Sequence, residues 1–395
     1  MEWKTVKLGD ITIGGKGSYG IGAPAVDFNP LKYTYLRITD INDDGTINYA
    51  GLKSVDDPEA YKYILKPNDI VFARTGATTG RTYFYLPQDG TFVYAGFLIK
   101  FSIDPKKANP RLLKYITHSQ EYYDWVRSFD TGGTRGNINA KTFADMPLCL
   151  PDRATQDKIV AILSSLDDKI ENNNRINANL EAQAQAVFKS WFVDFEPFGG
   201  VLPEDWEETT IGEICKCYLG GTPSRAKAEY WNGEIPWINS GEVNKYRILE
   251  GSEYITELGL QKSATKLLPR KTTVLAITGA TLGQVSLLEI EACANQSVIG
   301  IVQNEKVPYE FIYPLILNDI EQIMLHQTGG AQQHINKDNV ESHKLILPTD
   351  EIMAKYKAIQ APLFETIANN CFESQRLAAL RDTLLPKLMK GEIAL

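Results

Sequence analysis

Two stretches of this chain carry a helical rhythm that the rest lacks. Residues 155–191 contain no Gly or Pro, and apolar side chains fall at Ile159, Leu163, Leu166, Ile170, Leu180, Ala184, Val187 and Trp191. The steps alternate four and three, a heptad seam, with Asn173 and Asn177 on the remaining core positions. Shifted by 197 residues the seam returns as Leu363, Ile367, Asn370, Ser374, Leu377, Leu384 and Leu388, interrupted by Arg381. Two long helices follow, with Pro362 expected in the first turn of the second, where a missing N–H costs little. Paired antiparallel, they would bring Asn173 against Asn370 near the midpoint. A buried amide pair there costs stability but penalises other registers.

The remaining sequence is broken into short β-like runs separated by turns: TYLRI, DIVFA, FVYAGFLIKF, TVLAIT and SVIGIV. Helical stretches such as PRLLKYITHSQEYYDWVRSF lie between them. That pattern predicts an α+β domain around a curled sheet. TTIGEICKCYL reads as one strand that puts Cys215 and Cys217 on opposite faces.

The domain is present twice. Trp3-Lys-Thr-Val-Lys-Leu-Gly-Asp-Ile11 matches Trp206-Glu-Glu-Thr-Thr-Ile-Gly-Glu-Ile214, and Thr75-Gly-Ala-Thr-Thr-Gly80 matches Thr278-Gly-Ala-Thr-Leu-Gly283, both offset by 203. Thr131-Gly-Gly133 with Thr328-Gly-Gly330, Ile138-Asn139 with Ile335-Asn336, and Leu150-Pro151 with Leu347-Pro348 are offset by 197. Collinear matches with one small drift indicate a duplication. The expected organisation is a globular domain at 1–151, a helix at 152–197, a second domain at 198–348 and a second helix at 349–395. The fold class is therefore α+β: two pseudo-symmetric α/β domains separated by two long antiparallel coiled-coil helices.

Composition narrows the chemistry. The 395 residues are 43% hydrophobic and 10% aromatic, a globular balance. No apolar run approaches the roughly 18 residues that cross a bilayer, and MEWKTVKLGD lacks signal-peptide architecture, so a cytoplasmic protein is expected. Five scattered cysteines fit reduced thiols rather than a disulfide framework. Neither they nor the four histidines have the spacing of a metal set. The net charge of −8 is unevenly spread: +2 over 1–151, −3 over 152–197, −7 over 198–348 and zero over 349–395. Contact with a polyanion must come from local patches or from a partner.

Two motifs resemble catalytic signatures and fail on geometry. Gly15-x-Gly17-x-x-Gly20 must open a helix to hold a pyrophosphate, and IGAPAVDFNP follows it instead. Its place is a flexible loop. Pro151-Asp152 and Asp167-Asp168-Lys169 mimic a nuclease pattern, but along one helix the carboxylates stand more than about 20 Å apart and cannot share a cation. Asp167, Asp168 and Lys169 are expected to be exposed and to face a partner. Motifs for adenine methylation or an ATP-driven motor are absent from the sequence.

Gln156-Asp-Lys-Ile-Val-Ala-Ile-Leu-Ser-Ser-Leu-Asp-Asp-Lys-Ile170, Leu202-Pro-Glu-Asp-Trp206 and Gly220-Gly-Thr-Pro-Ser-Arg225 closely resemble segments of type I restriction–modification specificity subunits. The resemblance spans the whole chain, although the second helix lacks the Leu-Asp-Asp-Lys signature. It implies a non-catalytic subunit whose two domains each read half of a split, asymmetric target in double-stranded DNA. It implies partners too: two methyltransferase subunits docked on this chain, and restriction–translocase subunits added in the full prokaryotic complex. S-adenosylmethionine, ATP and Mg would belong to those partners, with no cofactor in this chain. The helices, Asn173 and Asn370 included, would set the spacing of the half-sites.

Loops with Arg, Lys, amide or hydroxyl side chains beside glycine suit DNA contact. The first domain offers Lys16, Ser18, Tyr19, Arg74, Thr75, Arg81, Thr134, Arg135 and Asn137. The second offers Thr222, Ser224, Arg225, Lys227, Thr278, Gln284, Gln332, Gln333 and His334. Matching loops differ between the domains while scaffold residues agree, as two heads of different specificity require. An autonomous DNA-binding regulator fits the acidic balance less well, and a protein adaptor would not need these loops.

Overall fold

The computed structural model describes residues 3–129, 136–325, 334–393 and 395. It divides into two compact units, 1–168 with 378–395, and 169–377, so each long helix contributes to both.

The first unit is closed by an antiparallel ladder between its first strand, Lys4–Lys7, and Pro147–Leu150, with Lys4 opposite Leu150. Between them lie two four-stranded sheets. One runs in the order Ser18–Tyr19, Leu98–Ser102, Asp69–Ala73, Thr82–Phe84; in the other Tyr33–Leu36 pairs parallel with Phe92–Tyr94. Asp69–Ala73 is buried throughout. Ile70 and Phe72 pack toward the helices, with Ile159 and Leu163. Val71 and Ala73 pack toward the second sheet. A strand covered on both faces needs apolar residues on both, and so DIVFA reads as a continuous run rather than an alternation.

The second unit repeats this frame. Glu207–Thr210 pairs with Lys344–Leu347, Glu207 opposite Leu347. Its sheet runs Lys216–Leu219, Val298–Val302, Thr273–Ala276, Val285–Leu287, in the same order as its counterpart. A parallel pair recurs between Trp231–Ile238 and Cys293–Ala294.

Three local expectations are corrected. PRLLKYITHSQEYYDWVRSF forms two short helices, Leu112–Ile116 and Gln120–Arg127, because Ser119 caps the second by accepting the Tyr122 N–H. TTIGEICKCYL is interrupted by a helical turn, Ile211–Ile214, begun where the Thr210 N–H donates to the Glu213 carboxylate at 3.0 Å. Cys215 and Cys217 follow that turn in extended backbone, where residues two apart share a face, so both are buried in one core rather than on opposite faces, and burial pushes each thiol up to about 12. Pro362 is the thirteenth residue of the second long helix, which starts at Asp350 with two acidic side chains in its first turn. Its ring faces solvent while Gln360 and Phe364 on either side are fully buried.

Both long helices, Arg153–Phe192 and Asp350–Met389, contain 40 residues. In the second unit Asn173 Nδ2 donates to Glu373 at 2.8 Å and to Ser374 Oγ at 3.3 Å, and Asn370 Nδ2 donates to Asn177 Oδ1 at 2.9 Å. Rising numbers on one helix meet falling numbers on the other, so the pairing is antiparallel. Asn173 does not meet Asn370. In this register Asn173 stands opposite Ser374 and Asn370 opposite Asn177, four residues from the expected pairing. Lys169 lies 3.1 Å from Glu373.

In the first unit Ile159 and Leu163 share a core with Leu385 and Leu388. Asp167 departs from its expected exposure. Its side chain is only 10% exposed and accepts from Lys114 Nζ at 2.7 Å, Tyr115 Oη at 3.0 Å and Arg381 Nη1 at 2.9 Å. Arg381, which breaks the apolar seam, is thus the cation that this carboxylate needs. Asp168 remains exposed, 3.4 Å from Arg111.

Burial alone would raise the Asp167 pKa; Lys114 and Arg381 outweigh it and hold the carboxyl below the usual range. A depressed folded pKa contributes stability that is complete above the unfolded value near 3.9 and lost as pH falls through the folded value. Asp167→Asn should cost roughly 2–3 kcal/mol at pH 7, less than a fully buried pair because both cations keep some solvent contact. Urea unfolding against pH measures it: the gap between wild type and variant should be constant above about pH 5 and close below pH 4. A gap that persists into strong acid would contradict the assignment.

Candidate nucleic-acid interface

In the first unit the central strand Asp69–Ala73 runs into Arg74 and Thr75, and a one-turn helix, Gly76–Thr78, follows. Three distant segments converge there. The Arg74 guanidinium carbon lies 5.3 Å from the centre of the Tyr19 ring and 5.7 Å from that of Phe97. Arg74 Nη1 donates to Asn137 Oδ1 at 3.2 Å. Main-chain bonds fix the cluster: the Arg74 N–H donates to the Phe97 carbonyl at 3.1 Å, and the Ile138 N–H to the Arg74 carbonyl at 3.0 Å. Tyr19, Arg74, Thr75 and Asn137 therefore share one surface. Phe97, 55% exposed, joins them without having been a sequence candidate, because an aromatic beside Gly96 within the run FVYAGFLIKF reads as part of a strand.

Other candidates behave differently. Ser18 and Tyr19 form a strand against Lys100 and Ile99 rather than a flexible loop, and the Ser18 and Tyr94 hydroxyls are 3.0 Å apart. Gly20 is required by close approach, since a Cβ there would stand 2.3 Å from the Tyr94 and Ala95 carbonyl oxygens. Lys16 is exposed on the preceding turn. Arg81 turns inward: its Nε donates to Asp43 at 2.6 Å and its Nη1 to the Ile41 carbonyl at 2.9 Å.

The second unit builds the same place from other side chains. Ile277 stands where Arg74 does: its N–H donates to the Ser297 carbonyl at 2.9 Å, and its carbonyl accepts the Ile335 N–H at 3.1 Å. Leu219, opposite Ile299, takes the position of Tyr19, opposite Ile99. His334 occupies the position of Asn137 and bridges to Thr278. Nearby, Thr222 Oγ1 donates to Gln296 Oε1 at 2.5 Å. The Arg225 guanidinium carbon sits 3.7 Å from the Trp231 ring centre, and both terminal nitrogens bond Glu253, Nη2 at 2.8 Å. This hydrogen-bonded pairing lowers the Glu253 pKa. The Ser224 carbonyl accepts Trp231 Nε1 at 3.2 Å, and Lys227 Nζ lies 5.2 Å from the Tyr230 ring. Gln284, the counterpart of Arg81, keeps its Oε1 buried without a partner among the described residues. Thr134, Arg135, Gln332 and Gln333 lie outside the described residues.

Sequence reasoning also missed Arg247. Its side chain is 1% exposed, donates to Glu181 at 2.7 Å and to Tyr313 Oη at 3.0 Å, and is flanked by the Tyr246 and Tyr313 rings. Glu181 belongs to the first long helix, so this buried pair fastens the second domain to it; Asp167 makes the corresponding fastening in the first unit. Among the described residues no group of three or more His, Cys, Asp or Glu is placed to hold a metal ion.

A family model described as the type I restriction modification DNA specificity domain matches residues 1–182 and 203–379. The chain is 25% identical to the type I restriction enzyme HindI specificity subunit of Haemophilus influenzae, over 99% of this chain and all of that one. It is 29% identical to the MjaIX specificity subunit of Methanocaldococcus jannaschii, over 71% of this chain and 68% of the relative. Its fold resembles the type I restriction–modification S subunit from M. genitalium, with a TM-score of 0.58, 17% identity, and coverage of 98% and 96% of the two chains.

The shared frame makes one test at equivalent positions. A Cβ on Gly220 would stand 2.1 Å from the Asn295 carbonyl oxygen, as close as the contact at Gly20. Gly20→Ala and Gly220→Ala should each destabilise the protein by about 1–3 kcal/mol through forced separation of backbone. Hydrogen exchange should localise each loss to the unit that carries the change. Unaltered unfolding in both variants would contradict this close approach.

Proposed function

Because the chain belongs to the type I restriction modification DNA specificity family, we propose that it selects the DNA target of a restriction–modification complex and leaves the chemistry to other chains. Residues 1–151 and 198–348 act as target recognition domains, each reading one half of a bipartite, asymmetric site. Residues 152–197 and 349–395 act as the spacer helices that set the interval between half-sites and dock adenine methyltransferase subunits, two per chain. Restriction–translocase subunits join through that assembly. S-adenosylmethionine, ATP and Mg serve those partners. No helix among the described residues is long and apolar enough to cross a membrane.

One observation carries this reading: a single scaffold places different side chains at matching positions of the same frame. Tyr19, Arg74 and Asn137 in one unit correspond to Leu219, Ile277 and His334 in the other. Direct readout depends on the donor, acceptor and methyl pattern of each base pair, so two surfaces of different chemistry select two different half-sites. The charge distribution adds a role for the partner. With net −7 over 198–348, this chain alone has little to offer the phosphates that dominate affinity.

Methylome sequencing of cells with and without the gene should reveal one bipartite adenine motif that disappears on deletion. On that target the chain alone should bind weakly and lose affinity steeply with salt. Addition of the methyltransferase should restore tight, specific binding. Nanomolar specific binding by the chain alone at physiological salt would overturn the division of labour, and a methylome unchanged by deletion would overturn the function.

A further inference from the structure

We propose that Arg74 reads a guanine in the half-site of the first recognition domain, and that the second domain has no guanine-reading arginine at the matching position. The inference rests on the DNA-specificity reading and assigns it a base.

Arginine reads guanine by presenting two parallel N–H donors to O6 and N7 on the major-groove edge. That requires a guanidinium that is held flat, aimed and not already occupied by a carboxylate. Arg74 meets these conditions. Tyr19 and Phe97 flank it at 5.3 and 5.7 Å, which limits its rotation, and Asn137 engages only Nη1. Among the described residues no carboxylate lies within ion-pair distance of Arg74; its Nε is buried, so the paired donors are those of the two terminal nitrogens. Of the other candidate arginines, the two among the described residues are committed: Arg81 to Asp43 and Arg225 to Glu253.

The duplication separates base reading from phosphate contact. Phosphate contacts position a protein on DNA whatever the sequence, so a position needed for grip would stay cationic in both domains. Here the two main-chain hydrogen bonds are kept in both repeats, yet the side chain changes from Arg74 to Ile277, which is 5% exposed. Leu219 replaces one flanking aromatic and Ser297 the other. The frame is constant and the cation is not, which is how a specificity position behaves.

The test is methylome sequencing of cells carrying this chain with its own methyltransferase, as wild type, Arg74→Ala and Arg74→Lys. Wild type should require guanine at one position of one half-site. Both variants should relax that position by on the order of 10- to 100-fold in relative methylation, leaving the other half-site unchanged. Lysine keeps the charge but not the paired donors, so it separates base from phosphate and serves as the second variant if alanine impairs folding. Retained guanine selectivity in Arg74→Lys, an even loss across all sequences, or relaxation at a position that is not guanine would overturn the assignment while leaving the DNA-specificity reading in place. Absence of any bipartite methylation by the wild type would remove both.

Discussion

The antiparallel ladder that ties the first strand of each repeat to its last constrains everything built on it. Lys4 faces Leu150 in one unit and Glu207 faces Leu347 in the other. Each long helix starts within three residues of its ladder, at Arg153 and at Asp350. Both ends of a recognition domain are thus hydrogen-bonded at the root of a helix, and the residues between them form a closed excursion. The chain can change side chains at the far end of the sheet, at Arg74 or Ile277, without disturbing the root. A central strand buried on both faces runs to that end of the sheet, and its main-chain hydrogen bonds recur in both repeats.

Each domain is fastened to the helices by buried charge, and the two fastenings share no residue types at matching positions. The first unit uses Asp167 between Lys114 and Arg381; the second uses Glu181 with Arg247. A buried pair contributes little net stability compared with apolar packing, but a displaced arrangement strands a charge. Such pairs therefore favour one seating of each domain over near alternatives. The asparagine layers at 173 and 177 apply the same logic to helix register: Asn177 Oδ1 accepts from Asn370, and Asn173 Nδ2 donates to Ser374 and Glu373, although Asn173 Oδ1 is buried without a partner among the described residues.

The duplication, both long helices and the α+β class were legible in the sequence because each rests on a repeating signal. Repeat offsets survive substitution, and a heptad seam needs no knowledge of what it packs against. Contacts between residues distant in sequence were not legible. Phe97 joins Arg74 only because two strands pair, and Asp167 turns inward because Lys114 and Arg381 arrive from separate elements. Local capping defeated two element assignments: Ser119 and Glu213 each start a helical turn inside a run whose composition suggested continuity. Intrinsic cost alone puts Pro362 at a helix start, and burial of Gln360 and Phe364 on either side overrides that cost. Tyr19, Thr75 and Asn137 were chosen as polar or aromatic neighbours of glycine, and they do gather at one surface. Arg81 and Arg225, chosen by the same rule, are held by carboxylates that the rule does not see.

The central claim is that each domain independently reads its own half-site. It is tested most directly by replacing residues 1–151 with a second copy of 198–348 and sequencing the methylome of cells that carry the chimera with its methyltransferase. Two identical heads on the same helices should methylate a symmetric target, the second domain's half-site followed by its inverted repeat. An asymmetric motif that still contains the half-site lost with residues 1–151 would contradict the account.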